Sequence, residues 1–384
     1  MGHIIHILCH TLNNDETLHY HTYGNFAART AQNIIKHSSK YKCQVWCAVN
    51  NLDKKTEFKK GSIVYKLYPA STFNKLLESF YGIISCPQLL SDIGRLDPKK
   101  TVISFQGERS SLIHTILRTY PNYKYTLQYH GYGQPKWLNW VEDLFLVPIE
   151  RQTFPFISQF FVHIQGRIRY LKDKIQIPEG KISFQNVGVD FNKFKPLSKI
   201  KARKQLRLPQ DAFIILYVGR MVKTKGIDKI VKAYQILKER HNHIYLMLIG
   251  GQKEDPMYAK AKDVADKVIE TINNADLPLY YNASDVYCFY GDEKTIQYAG
   301  VGTAPTEALA CNMNVVSTNL LHIPQYDTKR IGFVPRNFDD FVSQIEYLIT
   351  HPHFKFNPRR NVALYTSFEN MTKNLINSYE KLLS

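Results

Sequence analysis

The segment Gly219-Arg220-Met221-Val222-Lys223-Thr224-Lys225-Gly226 places several cations in a turn bounded by two glycines. An apolar run, Phe213 to Val218, precedes it, and Ile227, Ile230, Val231, Tyr234 and Leu237 follow at helical spacing. Such strand-to-helix turns are where open parallel sheets bind ligands, and the free N–H groups of a helix start face anions. Arg220 would neutralise phosphate through its fork of donors and Lys225 as a point charge, with Gly219 letting the backbone close in. The bland alternative is a solvated basic turn.

A second constellation is Tyr298-Ala299-Gly300-Val301-Gly302-Thr303-Ala304-Pro305-Thr306-Glu307-Ala308-Leu309-Ala310. Its glycines precede a proline suited to a first helical turn, so amides near Gly302 and Thr303 can approach a second anion. Glu307, in that first turn, either complements the helix dipole or accepts hydrogen bonds from a ribose or sugar diol, and the two roles are compatible. A third candidate is His130, between the strand-like run Tyr123 to Tyr129 and Gly131-Tyr132-Gly133. An imidazole at a strand end beside a glycine turn can meet a ligand, although the chain holds 14 histidines and any one of them needs context.

Several chemistries lack their motifs. There is no Asp-x-Asp to hold a metal on a sugar nucleotide, no Gly-rich phosphate loop ending in Lys-Ser/Thr, and no Gly-x-Gly-x-x-Gly after the first strand. No metal and no bound cofactor is therefore expected. His19 and His21, two apart, lack zinc-motif spacing.

These residues need scaffolds. Short β-branched runs alternate with helical patterns throughout, which predicts an α/β architecture with parallel sheets. The first series of strands comprises Ile4 to Cys9, Gln44 to Val49, Ile63 to Leu67, Thr101 to Phe105, Tyr123 to Tyr129 and Phe160 to Ile164. The second comprises Phe213 to Val218, Tyr245 to Ile249, Val286 to Phe289 and Val315 to Thr318. At 384 residues, two domains are expected: 1–190, and 191–364 with a boundary near residue 190 in a polar stretch punctuated by Gly188, Pro196 and Pro209. A final helix of about 365–384 is expected to pack back on the first domain.

Six cysteines without a regular framework read as reduced, buried thiols, and with no leader or 18-residue apolar span they predict a cytoplasmic, soluble or peripheral protein. The net charge of +17 is spread over both halves. The densest basic run, Lys193 to Arg207, reads as a solvated linker and helix face, and with only Phe194 interleaved, nucleic acid is not the expected partner. Phe73, Leu76, Leu77, Phe80, Tyr81, Ile83 and Ile84 form an apolar stripe that either packs in a core or lies on an anionic membrane surface.

Taken in order, Gln185-Asn186-Val187-Gly188-Val189-Asp190 with Phe194-Lys195-Pro196, Tyr217-Val218-Gly219-Arg220 through Lys225-Gly226-Ile227-Asp228, Leu248-Ile249-Gly250, Ala283-Ser284-Asp285-Val286 and Pro305-Thr306-Glu307-Ala308-Leu309-Ala310-Cys311 resemble glycosyltransferase family 4. The resemblance covers about residues 184 to 320, with Tyr129-His130-Gly131 similar to the family's first-domain histidine. It implies the GT-B fold, two Rossmann-like domains whose parallel sheets face an interdomain cleft. It also implies a retaining, metal-independent transfer from a nucleoside-diphosphate sugar, UDP in preference to GDP, to a glycan, lipid-linked or other hydroxyl acceptor. Arg220 and Lys225 would hold the donor diphosphate, Glu307 the ribose, and His130 the transferred sugar or its phosphate. Gly24 stands alone where the family has a glycine pair. The family's Glu-x7-Glu pair places its first glutamate at Ala299, with Asp292 and Glu293 nearby, so a protein that binds a sugar nucleotide or glycan without turnover is the alternative.

Overall fold

The computed structural model describes residues 2–15, 18, 22, 25–73, 81–108, 110–130, 140, 142–186, 188–291, 302–322 and 325–384. The chain forms two compact units, residues 1–185 with 371–384, and residues 186–370.

The strands of the first unit are β1 (Gly2–Asn13), β2 (Tyr41–Asn50), β3 (Thr56–Lys60), β4 (Ile63–Phe73), β5 (Ile83–Ser85), β6 (Thr101–Gln106), β7 (Lys124–Tyr129), β8 (Ile157–Val162) and β9 (Ile182–Phe184). Among the described residues they make one sheet in the order β3-β4-β2-β1-β6-β7-β8-β9, with β5 also on β4. All pairings are parallel except those of β3 and β5 with β4. In β1, Ile4, Ile5, Ile7 and Leu8 are all buried, so both faces are covered, and His6 between them is buried as well. The helix Phe26–His37 starts where the Asn25 side chain accepts the Ala28 N–H at 2.8 Å, satisfying one of the donors that a helix start leaves open.

The second unit holds β10 (Phe213–Val218), β11 (Ile244–Ile249), β12 (Lys267–Ile269), β13 (Val286–Phe289) and β14 (Asn314–Ser317), in the order β12-β11-β10-β13-β14 and parallel throughout. The helix Ile227–Lys238 buries Ile227, Ile230, Val231, Tyr234 and Leu237, the stripe its spacing predicts, together with Ala233. Each of the large members contributes about 1.5–3 kcal/mol by leaving water.

The basic run differs from expectation at Arg203. Its guanidinium is buried, donating to the Ala283 carbonyl at 2.8 Å and to Asp285 Oδ2 at 2.6 Å, while Lys199 reaches Asp285 Oδ1 at 2.5 Å. Arg203 ties the segment to the second unit's core, whereas Lys199 stays partly exposed and Lys195, Lys201, Lys204 and Arg207 are exposed, as a solvated face. The end of the chain is two helices, Arg359–Thr366 and Phe368–Leu383, broken at Ser367, whose backbone is extended. In the first unit the last helix buries Leu375 and Tyr379, and Tyr379 donates to Ser104 Oγ at 3.3 Å. All six cysteines are free and buried. No helix of the described residues is long and apolar enough to cross a membrane. In the apolar stripe, Phe73 and Ile83 are exposed and Ile84 is buried, whereas Leu76, Leu77 and Phe80 lie outside the described residues.

Candidate functional site

Gly219, Arg220 and Lys225 follow the C-terminal end of β10, the middle strand of the second sheet. Gly219 turns at φ +151°, its N–H donating to the Ile249 carbonyl at 2.8 Å, and Gly250 beside it turns at φ +96°. A Cβ on Gly250 would press on the Gly219 backbone at 3.2 Å, so the loops after β10 and β11 are packed main chain to main chain. Lys223–Lys225 form a single 3-10 turn, and Gly226 then starts the long helix at φ +73°. No other residue fits there, because a Cβ would overlap the Tyr290 carbonyl just beyond β13.

The two cations differ in setting. The Arg220 side chain is 72% exposed, with Nη2 3.6 Å from Asp255 Oδ1. Lys225 is half-buried, and burial, then the positive charge of Arg220, holds its ammonium below the ordinary lysine range. A half-buried cation that feels a second positive charge makes a site that favours an anion. The Arg220 carbonyl accepts the Tyr217 hydroxyl at 2.6 Å, and the Met221 N–H donates to Asp255 Oδ2 at 2.9 Å.

Glu307 comes to the same edge from a different element. It lies in the short helix Ala304–Ala310, which runs back from the C-terminal edge of the sheet towards the start of β14. The side chain is only 7% exposed. Its Oε2 accepts the hydroxyl of Tyr281 at 2.9 Å, and its own N–H donates to the Thr303 carbonyl at 2.8 Å. Tyr287, in β13, is buried, and burial, then Tyr217 and Glu307, push its phenol well above the usual range. Gly302 and Thr303 are exposed at the head of the helix, Gly302 at φ +73° with open space where a Cβ would stand.

His130 belongs to the first unit, at the end of β7. Its N–H donates to Glu108 Oε2 at 3.2 Å. Its ring stacks on His163 with centroids 4.8 Å apart, and the edge of Phe26 meets it at 4.6 Å. Burial, then His163 and His10, hold His130 well below the ordinary imidazole range, so it is a neutral donor–acceptor at physiological pH. His163, whose Nδ1 lies 2.6 Å from the Gln185 carbonyl oxygen, is likewise held down, to about 4, by burial. Gly24, Ala299, Asp292 and Glu293 lie outside the described residues.

Sequence reasoning missed Tyr281, Asp255 and His163. Tyr281 sits in an ordinary Tyr-Tyr pair of the helix Leu277–Ala283, and Asp255 in a charged loop, so neither carries a spacing that marks it.

Residues 198–365 match the family model described as Glycosyl transferases group 1. The capsular polysaccharide biosynthesis glycosyltransferase CapM of Staphylococcus aureus is 28% identical over 169 residues, 42% of this chain and 43% of that protein. The chain thus spans less than half the length of the curated relatives it matches first. Among solved structures, sucrose-phosphate synthase from Thermosynechococcus elongatus aligns with a TM-score of 0.71 at 17% identity, covering 100% of this chain and 99% of that one. Alr3699/HepE of Anabaena, in complex with UDP, aligns with a TM-score of 0.67 at 13% identity over 99% of this chain and 100% of the other. The fold is GT-B, and the second unit carries a glycosyl transferases group 1 segment.

Proposed function

We propose that the protein is a retaining, metal-independent glycosyltransferase of family 4 that takes its sugar from a nucleoside-diphosphate donor, UDP in preference to GDP. The acceptor is a glycan, lipid-linked or other hydroxyl. The observation that supports this reading is that Arg220 and Lys225 follow the C-terminal end of β10 while Glu307 sits in the helix between β13 and β14 of the same parallel sheet, all within the segment that matches the family model. The neighbour solved with UDP supports the choice of base.

In this mechanism Lys225 and Arg220 bind the two phosphates and stabilise the charge that grows on the leaving diphosphate as the glycosidic bond breaks. Glu307, oriented by Tyr281, accepts hydrogen bonds from the ribose hydroxyls. His130, neutral, hydrogen-bonds the transferred sugar or its phosphate. The leaving phosphate takes the proton of the acceptor hydroxyl.

The test is calorimetry of UDP and GDP binding to wild type and Lys225→Ala, followed by NMR of the product anomer with each nucleotide sugar that binds. Lys225→Ala should weaken nucleotide binding about 10- to 100-fold, the equivalent of a lost charged hydrogen bond. Unchanged affinity would overturn the reading. Ala299, at the first position of the Glu-x7-Glu pair, favours a second reading, sugar-nucleotide binding without turnover, and product from any donor–acceptor pair excludes it.

A further inference from the structure

We propose that Asp255 is a positioning residue of the diphosphate site: its buried carboxylate fixes the main chain at Met221 and the direction of the Arg220 guanidinium. This rests on Arg220 being a diphosphate ligand.

Asp255 stands in the loop after β11, far from Arg220 in sequence, and its two oxygens do different work. Oδ2 accepts the N–H of Met221 at 2.9 Å and that of Gln252 at 3.2 Å. Oδ1 faces Arg220 Nη2 at 3.6 Å. A return bond, Met257 N–H to the Met221 carbonyl at 3.2 Å, closes a reciprocal pair, so one short segment grips Met221 from both sides. Packing reinforces the grip, since a Cβ on Gly251 would overlap the Met221 side chain.

The asymmetry of exposure makes this an anchor and not a surface ion pair. The Asp255 side chain is 4% exposed while that of Arg220 is 72% exposed. An exposed arginine sweeps many rotamers, and ordering it opposes ligand binding. A carboxylate immobilised by two amides holds one edge of the guanidinium and leaves its outer donors directed at solvent, where a diphosphate would arrive. Burial works against the charge on Asp255, but the Met221 and Gln252 N–H groups and Arg220 outweigh it and keep the carboxyl below the usual range. The anion is thus a permanent part of the site, already neutralised locally before any phosphate binds.

The experiment is a double-mutant cycle on UDP affinity by calorimetry, with wild type, Asp255→Asn, Arg220→Ala and the double variant. Asparagine keeps an oxygen for the two amides and removes the charge opposite Arg220. Asp255→Asn should weaken UDP about three- to tenfold in the wild-type background and not at all in the Arg220→Ala background. Unchanged or tighter binding, or an equal loss in both backgrounds, overturns the proposal, the last by showing a merely structural role. If Asp255→Asn does not fold, Asp255→Ser goes through the same cycle with the same deciding outcomes. Wild type that binds neither UDP nor GDP overturns the diphosphate reading itself, a result distinct from bound nucleotide indifferent to Asp255.

Discussion

The Tyr281 hydroxyl donates to Glu307 Oε2 at 2.9 Å, and Tyr281 is fully buried. A carboxylate meant to read a ribose diol must keep one orientation, and a phenol fixed in the core holds one of its oxygens. Tyr281→Phe removes that hold while keeping the ring. UDP affinity should fall about three- to tenfold, with a stability loss near 1 kcal/mol from the lost hydrogen bond. Calorimetry and thermal melts separate the two, and affinity equal to wild type would show that Glu307 needs no such support.

Two glycines with the same φ of +73° give a paired prediction. At Gly226 a Cβ would overlap the Tyr290 carbonyl, whereas at Gly302 it would meet open space. Gly302→Ala should therefore cost only the left-handed strain, roughly 1–2 kcal/mol, and Gly226→Ala roughly 2–5 kcal/mol through added clash. Denaturant melts of the two variants check the order, and equal losses would contradict the packing described at Tyr290.

What could be read in advance divides along physical lines. β10 and β13 were legible because strands covered on both faces are unbroken apolar runs, and the five-residue stripe after Gly226 because helical spacing survives burial. β3 was missed because Thr56–Lys60 is an exposed edge hairpin arm of charged residues, and β12 because three residues carry no period. The turn carrying Arg220 and Lys225 was visible as a local pattern between strand and helix. Asp255 and Tyr281 act only through contacts across the fold, with Met221 and Glu307, and nothing local distinguishes them from surface aspartates and core tyrosines.

The first unit buries a second set of charges. Glu150 accepts the Tyr170 hydroxyl at 2.7 Å near the buried Glu142–Arg167 pair, whose atoms lie 2.9 Å apart. Burial pushes the Glu150 carboxyl up from 4.5 to about 8, against the Tyr170 bond. With the folded pKa raised, the folded state holds a proton that the unfolded state has released between pH 4.5 and about 8, so this group makes stability fall as pH rises through that window. Glu150→Gln, which does not titrate, should flatten the fall. Between pH 5 and 8 the wild-type melting temperature should drop further than the variant's by at least about 2–4 °C, the equivalent of roughly 1 kcal/mol in a unit of this size. Parallel pH profiles would place the proton elsewhere.

Lys225 has the opposite linkage, and it bears on binding. In the free protein burial, and then the Arg220 charge, hold its ammonium below the ordinary lysine range. A bound diphosphate supplies the missing counter-charge and raises the pKa again, so binding must take up protons at any pH between the two values. Nucleotide affinity should accordingly fall as pH rises through the depressed pKa, earlier than for a solvated lysine. Calorimetry of UDP binding on the alkaline side of neutrality, in two buffers of different ionisation enthalpy, should give apparent enthalpies that differ by the proton taken up. Lys225→Arg keeps a charge that does not titrate in this range, so its binding enthalpy should be the same in both buffers. A buffer dependence that survives in Lys225→Arg would assign the proton to another group, and none in wild type would mean that Lys225 does not meet the phosphates.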